Sequence, residues 1–208
     1  MGNCLKDPAQ TYNSRWFREE YMRADEQEAY HVIAEALHQT FPFQSVVDIG
    51  CGPALVLHHL LARGKFVAGI EGSRDAWDVM PEDVQREVWQ RDLRTWDTDS
   101  DGFEPRDLVI CTEVAEHLEA EYADKLVHDV VSCVQEDGHI FFTGAVPGQG
   151  GLDHVNEQPR WYWLDKFAAH GWVLDRTLTK QFKDNLVALG LKGLTWLLPN
   201  SMILSPRG

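Results

Sequence analysis

The stretch from Val46 to Leu55, V-V-D-I-G-C-G-P-A-L, constrains the fold of this chain more than any other. Two β-branched residues followed by Asp48, Ile49 and Gly50 read as a buried parallel strand that ends abruptly at its carboxyl end. Gly50 and Gly52 let the backbone turn tightly and approach a ligand with no Cβ in the way. Pro53 suits a first helical turn, and Ala54, Leu55, Leu57, Leu60 and Leu61 continue at helical spacing. Strand, glycine turn and helix predict the nucleotide-binding corner of a doubly wound α/β sheet. Dinucleotide-binding turns carry a third glycine three residues beyond the second, and here that position is Leu55. Asp48 sits two residues before the first glycine, where a carboxylate can face an ammonium group rather than a pyrophosphate.

At 208 residues, 44% of them hydrophobic, the chain fits one globular domain, or a domain with a short extension. No apolar run is long enough to span a bilayer, and no basic segment precedes an apolar one at the start, so the expected location is cytoplasmic, away from membranes. Met1-Gly2-Asn3-Cys4 hints at acylation, but Lys6 stands where that signal wants Ser or Thr. Cys4, Cys51, Cys111 and Cys133 are too dispersed for a disulfide frame or zinc knuckle and read as reduced thiols. Nineteen Lys and Arg against thirty-three Asp and Glu leave a formal charge of −14, which disfavours a nucleic-acid partner and points to a small-molecule one.

Along the chain, Tyr12, Trp16, Phe17 and Tyr21 are spaced for a helix covering something apolar, and a helix from Ala29 to Leu37 ends at Phe41-Pro42. Phe66 to Gly72 reads as a second strand. Its closing acid, Glu71, lies about 20 residues past the glycine turn, where a carboxylate accepts both ribose hydroxyls of a nucleoside. Val84 to Trp89 is a weaker third strand followed by Asp92-Leu93, with Asp97, Asp99 and Asp101 in a solvated loop, and Asp107 to Thr112 is a fourth. Leu118, Tyr122, Leu126, Val130 and Val134 recur every fourth position and predict one helix. Asp137-Gly138 reads as a turn into a fifth strand, His139 to Thr143. A glycine-rich loop, Ala145 to Asn156, precedes a helix from Pro159 to His170. Gly171 to Thr177 reads as a sixth strand and Ser201 to Ser205 as an antiparallel seventh, with an apolar stretch, Leu186 to Leu198, between them.

The glycine turn with Asp48, and the strands after it, resemble the class I S-adenosylmethionine (SAM) methyltransferases from roughly Ser45 to Ser205. The resemblance implies a doubly wound, seven-stranded Rossmann-like sheet with an antiparallel last strand. It implies residues 1–40 as an N-terminal helical segment covering the cofactor side and 41–208 as the SAM-binding domain. Asp48, Gly50, Cys51, Gly52, Glu71, Gly72, Asp92, Leu93 and Glu113 are then the candidate SAM contacts, with Asp92 on the adenine amino group and Leu93 against the ring.

Beyond the fourth strand, Glu113, Glu116 and His117 stand at i, i+3 and i+4 and would share a face of a helical turn. His154 comes from the loop after the fifth strand. This E-x-x-E-H pattern with a later His is similar to the metal-binding set of small-RNA 2′-O-methyltransferases and of ubiquinone-pathway O-methyltransferases. It makes Glu113, Glu116, His117 and His154 candidate ligands for a divalent metal, Mg or Zn. The same words occur in relatives with no metal role, where His117 or His154 would be the base and Glu116 its neighbour. The leading expectation is O-methylation of a small molecule. Three alternatives stay open: a SAM-consuming cyclase or lyase, a non-catalytic SAM-binding partner subunit, and a dinucleotide oxidoreductase. The acceptor and the oligomeric state are left open.

Overall fold

The computed structural model describes residues 15, 17, 19 and 23–208. Tyr12, Trp16, Tyr21 and Cys4 therefore lie outside the described residues. Seven strands form one sheet: β1 (Ser45–Ile49), β2 (Phe66–Glu71), β3 (Val88–Gln90), β4 (Arg106–Cys111), β5 (Val134–Phe142), β6 (Trp172–Leu174) and β7 (Met202–Pro206). Their order is 3-2-1-4-5-7-6, with the first five parallel and β7 antiparallel to both β5 and β6. This is the doubly wound, seven-stranded Rossmann-like sheet that the motif implied.

Side chains alternate between the sheet's two faces, so each central strand feeds two cores. Val46, Leu108, Ile110, Phe141 and Ile203 pack with helices α1 (Ala24–Thr40), α2 (Leu55–Leu61) and α7 (Arg176–Ala188). Val47, Val109, Cys111, Ile140, Phe142 and Leu204 pack on the other face with α5 (Ala123–Ser132) and α6 (Arg160–Ala169). The near-continuous apolar runs of β1, β4 and β5 follow from burial on both sides.

Several expected boundaries move. The predicted helix from Leu118 to Val134 is broken: a 3-10 turn at Ala115–His117 and an extended Leu118 precede a second 3-10 turn, and the α-helix begins only at Ala123. Asp137-Gly138 is no turn but part of β5, beside a register irregularity in its pairing with β4. A Cβ at Gly138 would meet the Asp107 carbonyl at 2.7 Å, so the glycine serves close strand approach. The third strand shortens to Val88–Gln90 because a 3-10 turn occupies Gln85–Glu87. The acidic loop holds a short helix, α4 (Thr98–Asp101), capped by the Asp97 carboxylate. The sixth strand stops at Leu174, and Asp175 caps α7, a helix the apolar pattern did not show.

Candidate active site

The glycine turn positions everything else at the carboxyl edge of the sheet. The Ile70 carbonyl of β2 accepts from the N–H groups of Gly50 (2.8 Å) and Cys51 (3.1 Å), pinning the turn beside the neighbouring strand tip. Gly50 has φ +75°, and a Cβ there would collide with Val114 Cγ2 at 2.5 Å. Ala54 also adopts a left-handed conformation, φ 56°, immediately before α2. A non-glycine residue in that region costs on the order of 1 kcal/mol. Sequence reasoning tested Leu55 for a missing glycine, whereas the strained position is Ala54.

Asp48 lies at the end of β1, 4% exposed, and its Oδ1 has no hydrogen-bond partner. Burial, and then the nearby Glu71 charge, push its carboxyl up to about 8. Glu71 closes β2 and is also buried, with Oε2 accepting from Gly52 N–H at 2.8 Å and Oε1 from Ser73 N–H at 2.6 Å. Burial raises its pKa, and those amides oppose the shift. Asp48 opens on a narrow chamber of about 50 Å³ lined also by Gly50, Cys51, Gly52, Thr112 and Glu113. Tyr30 and Ile33 of α1 and Trp196 and Leu197 from the approach to β7 complete its walls.

Gly72 leads away from the β2 tip against the β3 tip, where a Cβ on it would stand 3.2 Å from the Arg91 carbonyl and 3.7 Å from Asp92 Cα. Asp92 is exposed, one oxygen accepting from Arg94 N–H at 2.9 Å, and Leu93 is buried behind it. Asp48, Gly50, Cys51, Gly52 and Glu113 therefore meet in one chamber. Glu71, Gly72, Asp92 and Leu93 continue along the adjoining strand tips.

Past β4, Glu113 takes φ 51° rather than a helical angle, and its N–H donates to Thr143 Oγ1 at 2.9 Å. The helical turn expected to align Glu113 with Glu116 and His117 is absent, and Glu113 lies outside the set of ligating atoms that converge, although its carboxylate stays close to that of Glu116. Its carboxylate accepts from Gln149 Nε2 (2.8 Å) and Asn200 Nδ2 (3.3 Å), and Asn200 Nδ2 also donates to Gln149 Oε1 (2.8 Å). The other three residues do converge: one ligating atom each of Glu116, His117 and His154 lies within 4.8 Å of the others.

The backbone explains why His154 arrives there. The Glu116 carbonyl accepts from Val155 N–H (2.8 Å) and Asn156 N–H (3.1 Å), while Gln158 N–H donates to the Ala145 carbonyl (3.2 Å), strapping the glycine-rich loop across the 3-10 turn. The rings of His154 and His117 then meet edge to face at 4.9 Å. Gly151 makes room, since a Cβ on it would fall 2.1 Å from His154 Nε2. Glu157, which sequence reasoning passed over, binds His154 Nδ1 at 2.9 Å and accepts from the N–H groups of Gly148 and Gly150, both at 2.7 Å. One carboxylate thus fixes the imidazole and the loop that carries it, and a Glu three residues after a candidate His was the available signal.

Glu116 is fully buried with neither oxygen hydrogen-bonded. Burial and the adjacent Glu113 charge raise it to about 8, while burial and His154 lower His117 to about 4. His59, beside His58 and His31 on the far side of α2, is likewise lowered by burial to about 4.

These shifts have signs that fix a stability profile. Asp48 and Glu116 keep their protons in the fold up to about pH 8, whereas unfolded carboxyls release theirs near pH 4, so both groups lose stabilisation as pH rises across that window. The two histidines act oppositely, destabilising the fold as pH falls from about 6.5 to 4. Between pH 4 and 6.5 the effects offset, and above pH 6.5 only the carboxyl contribution remains. Ligand-free protein is therefore expected to lose about 1–2 kcal/mol through Asp48 between pH 6.5 and 8, with Glu116 acting in the same direction. Thermal melts across that range would show it, and a flat or rising Tm would refute the assigned protonation.

The sheet order and the crossover of its last strand are those of the Rossmann-like methyltransferase fold. The chain belongs to the methyltransferase domain family, whose model matches residues 18–185. It is 32% identical over 102 residues to a ubiquinone biosynthesis O-methyltransferase of Alkalilimnicola ehrlichii, an alignment spanning 47% of this chain and 40% of that relative. Among solved structures it resembles the magnesium protoporphyrin IX methyltransferase of Synechocystis with bound SAM (TM-score 0.64, 18% identity, all of both chains). It also resembles a sugar N-methyltransferase of Streptoalloteichus (TM-score 0.65, 15% identity, 100% of this chain and 96% of that one). At these identities the structural likenesses establish the fold. Among the described residues no helix is long and apolar enough to cross a membrane, and Cys51, Cys111 and Cys133 are free thiols.

Proposed function

We propose that the enzyme transfers the SAM methyl group to an oxygen of a small-molecule acceptor, with His154 taking the acceptor's proton. The observation carrying this reading is the Glu157–His154 pair, poised beside Glu116 and His117 on a loop next to the chamber. Asp48 would receive the SAM ammonium group, Glu71 the ribose hydroxyls, and Asp92 and Leu93 the adenine, with Gly50, Cys51, Gly52, Gly72 and Glu113 forming the surrounding surface. The unpartnered, buried Asp48 Oδ1 fits this cofactor, since a cation docked there gives the oxygen a partner. Residues 1–40 would cover the cofactor side. In support, Phe17 is buried 3.9 Å from where a Gly52 Cβ would stand, and Tyr30 and Ile33 line the chamber.

Methyl transfer asks mainly for alignment, because the sulfonium carbon is already electrophilic. A hydroxyl acceptor also needs its proton removed. Burial keeps His117 neutral and weakly basic, which leaves the role of base to His154, the imidazole held by Glu157. Its Nδ1 is held by Glu157, which fixes the ring and would stabilise the imidazolium formed when Nε2 takes the proton.

A divalent metal fits three of the four expected ligands: one carboxylate with two unsatisfied oxygens and two imidazoles, a donor set suited to zinc. Bound by Glu116, His117 and His154, the ion would acidify the acceptor hydroxyl. Exhaustive chelation separates the two uses of His154. Activity kept after chelation, with no metal found by elemental analysis, leaves the imidazole as base, whereas activity lost and restored by zinc assigns it as a ligand.

Incubation with methyl-labelled SAM and a small-molecule extract tests the whole reading. Label is expected on a new product, together with calorimetric binding of S-adenosylhomocysteine and none of NAD. Label left on methylthioadenosine would mean that the aminobutyryl chain is consumed instead.

A further inference from the structure

Beside the chamber lies a second, open cavity of about 470 Å³, within the range of small-ligand sites. Its wall includes Val146, Gln149, Thr195, Trp196, Pro199 and Asn200, together with further residues of the glycine-rich loop. Among the described residues no charged side chain lines it, although a quarter of the chain is Asp, Glu, Lys or Arg. Three charged groups bond to lining residues without lining the cavity themselves: Glu113 accepts from the Gln149 and Asn200 amides, Glu157 from the N–H groups of Gly148 and Gly150, and Arg160 donates to the Pro199 carbonyl at 3.3 Å.

Two features join this bowl to the chamber. Trp196 lines both. The Glu113, Gln149 and Asn200 side chains form a closed hydrogen-bonded triangle, with Glu113 on the chamber side and the two amides on the bowl side. Asn200 is only 1% exposed, and its Oδ1 has no donor among the described residues. Both amides can exchange their mutual bond for bonds to a ligand's hydroxyl or carbonyl group, since each offers a donor and an acceptor.

We infer that this bowl is the acceptor site, that it takes an uncharged small molecule bearing hydroxyl or carbonyl groups, and that Gln149 and Asn200 read those groups. The inference rests on the methyl-transfer reading and adds a location, a charge class and two recognition residues. An anionic acceptor would meet no cation in the wall and would face the field of a chain with formal charge −14. A cationic acceptor would meet no carboxylate in the wall, because Glu113 is already bonded to both amides. Amides that must bond a polar partner discriminate strongly against ligands lacking one.

Catechol, protocatechuate and dopamine share a ring and differ in charge, so they serve as neutral, anionic and cationic probes of the enzyme saturated with S-adenosylhomocysteine. Catechol is expected to bind about tenfold more tightly than either charged analogue, and crystals soaked with it are expected to place an oxygen within hydrogen-bond distance of Gln149 or Asn200. Asn200→Leu and Gln149→Leu are expected to weaken catechol about tenfold while changing S-adenosylhomocysteine affinity less than about threefold. Thr195→Asp, which puts a carboxylate into the wall, is expected to turn the preference toward dopamine, a reversal that a merely structural role would not produce. An empty bowl with all three probes, tighter binding of a charged probe by the wild type, or wild-type selectivity in Thr195→Asp would overturn the inference while leaving methyl transfer intact. Failure of S-adenosylhomocysteine itself to bind would instead overturn the methyl-transfer reading.

Discussion

Asp48→Ala is expected to abolish measurable SAM binding while raising the stability of the ligand-free protein. The two effects share one cause. Asp48 is buried, one oxygen is unpartnered, and its carboxyl is pushed up to about 8, so the ligand-free fold bears the cost of desolvating a polar group it does not satisfy. Removing the group relieves the fold by about 1–3 kcal/mol, against which the small void left by alanine counts partly. The ligand's ammonium group, in contrast, loses the carboxylate proposed to hold it. Affinity is expected to drop at least about a hundredfold, the scale of a buried charge left without its partner. Asn at this position separates charge from shape and is expected to bind nearly as poorly. Differential scanning fluorimetry with and without S-adenosylhomocysteine reads both quantities. A higher baseline Tm with no ligand-induced shift is the expected pattern, and wild-type affinity in either variant would refute the cofactor assignment.

The same carboxyl makes binding pH-dependent. At pH 7 a group with a pKa of about 8 is about 90% protonated, so docking a cation beside it expels close to one proton. Calorimetry in buffers of different ionisation heat would count that proton, and affinity is expected to rise from pH 6 to 8.

His154→Ala is expected to lower kcat by about 10² to 10⁴ while leaving S-adenosylhomocysteine affinity within about threefold. The imidazole is held by Glu157 and neighbours Glu116 and His117, but it does not line the chamber at the glycine turn. Glu157→Gln provides an intermediate. The amide can hold the loop in part, yet it removes the charge that would stabilise an imidazolium, so a smaller fall in kcat is expected with KM for SAM little changed. Equal losses in binding and turnover for His154→Ala would reassign the residue to a structural role in the loop. Unchanged turnover would remove it from the mechanism.

The cluster at the glycine turn, proposed to hold the cofactor, was legible because its information is local. Asp48, the glycine turn and Glu71 announce themselves through residue types at fixed spacings, and the sheet brings their strand tips together. The half facing the acceptor was only partly legible. The i, i+3, i+4 spacing of Glu113, Glu116 and His117 assumed a helical turn, but Glu113 is left-handed and the helix waits until Ala123. The apolar residues of the repeat nonetheless all pack on the same core, Leu118 from an extended segment and Val134 from β5. Helix α7 escaped notice because its buried residues are few, Thr179, Phe182 and Leu186, among many polar ones. Gln149 lies in the glycine-rich loop, Glu157 just past its end and Asn200 beside the apolar stretch; both segments were visible in the sequence, but the pairings were not, since these depend on loops folded over one another: Gln149 meets Asn200 across 51 positions of sequence.

Because β7 runs against β5, its amino end is the one that abuts the functional edge, and the peptide leading into it delivers Trp196 and Asn200. In the proposed reading the acids and glycines that would hold the nucleoside run from Asp48 to Glu113, whereas Gln149 and Asn200, which would choose the acceptor, come later in the chain. Exchange of residues 189–201 between related enzymes is a route to transplanting acceptor preference while the nucleoside end keeps its affinity.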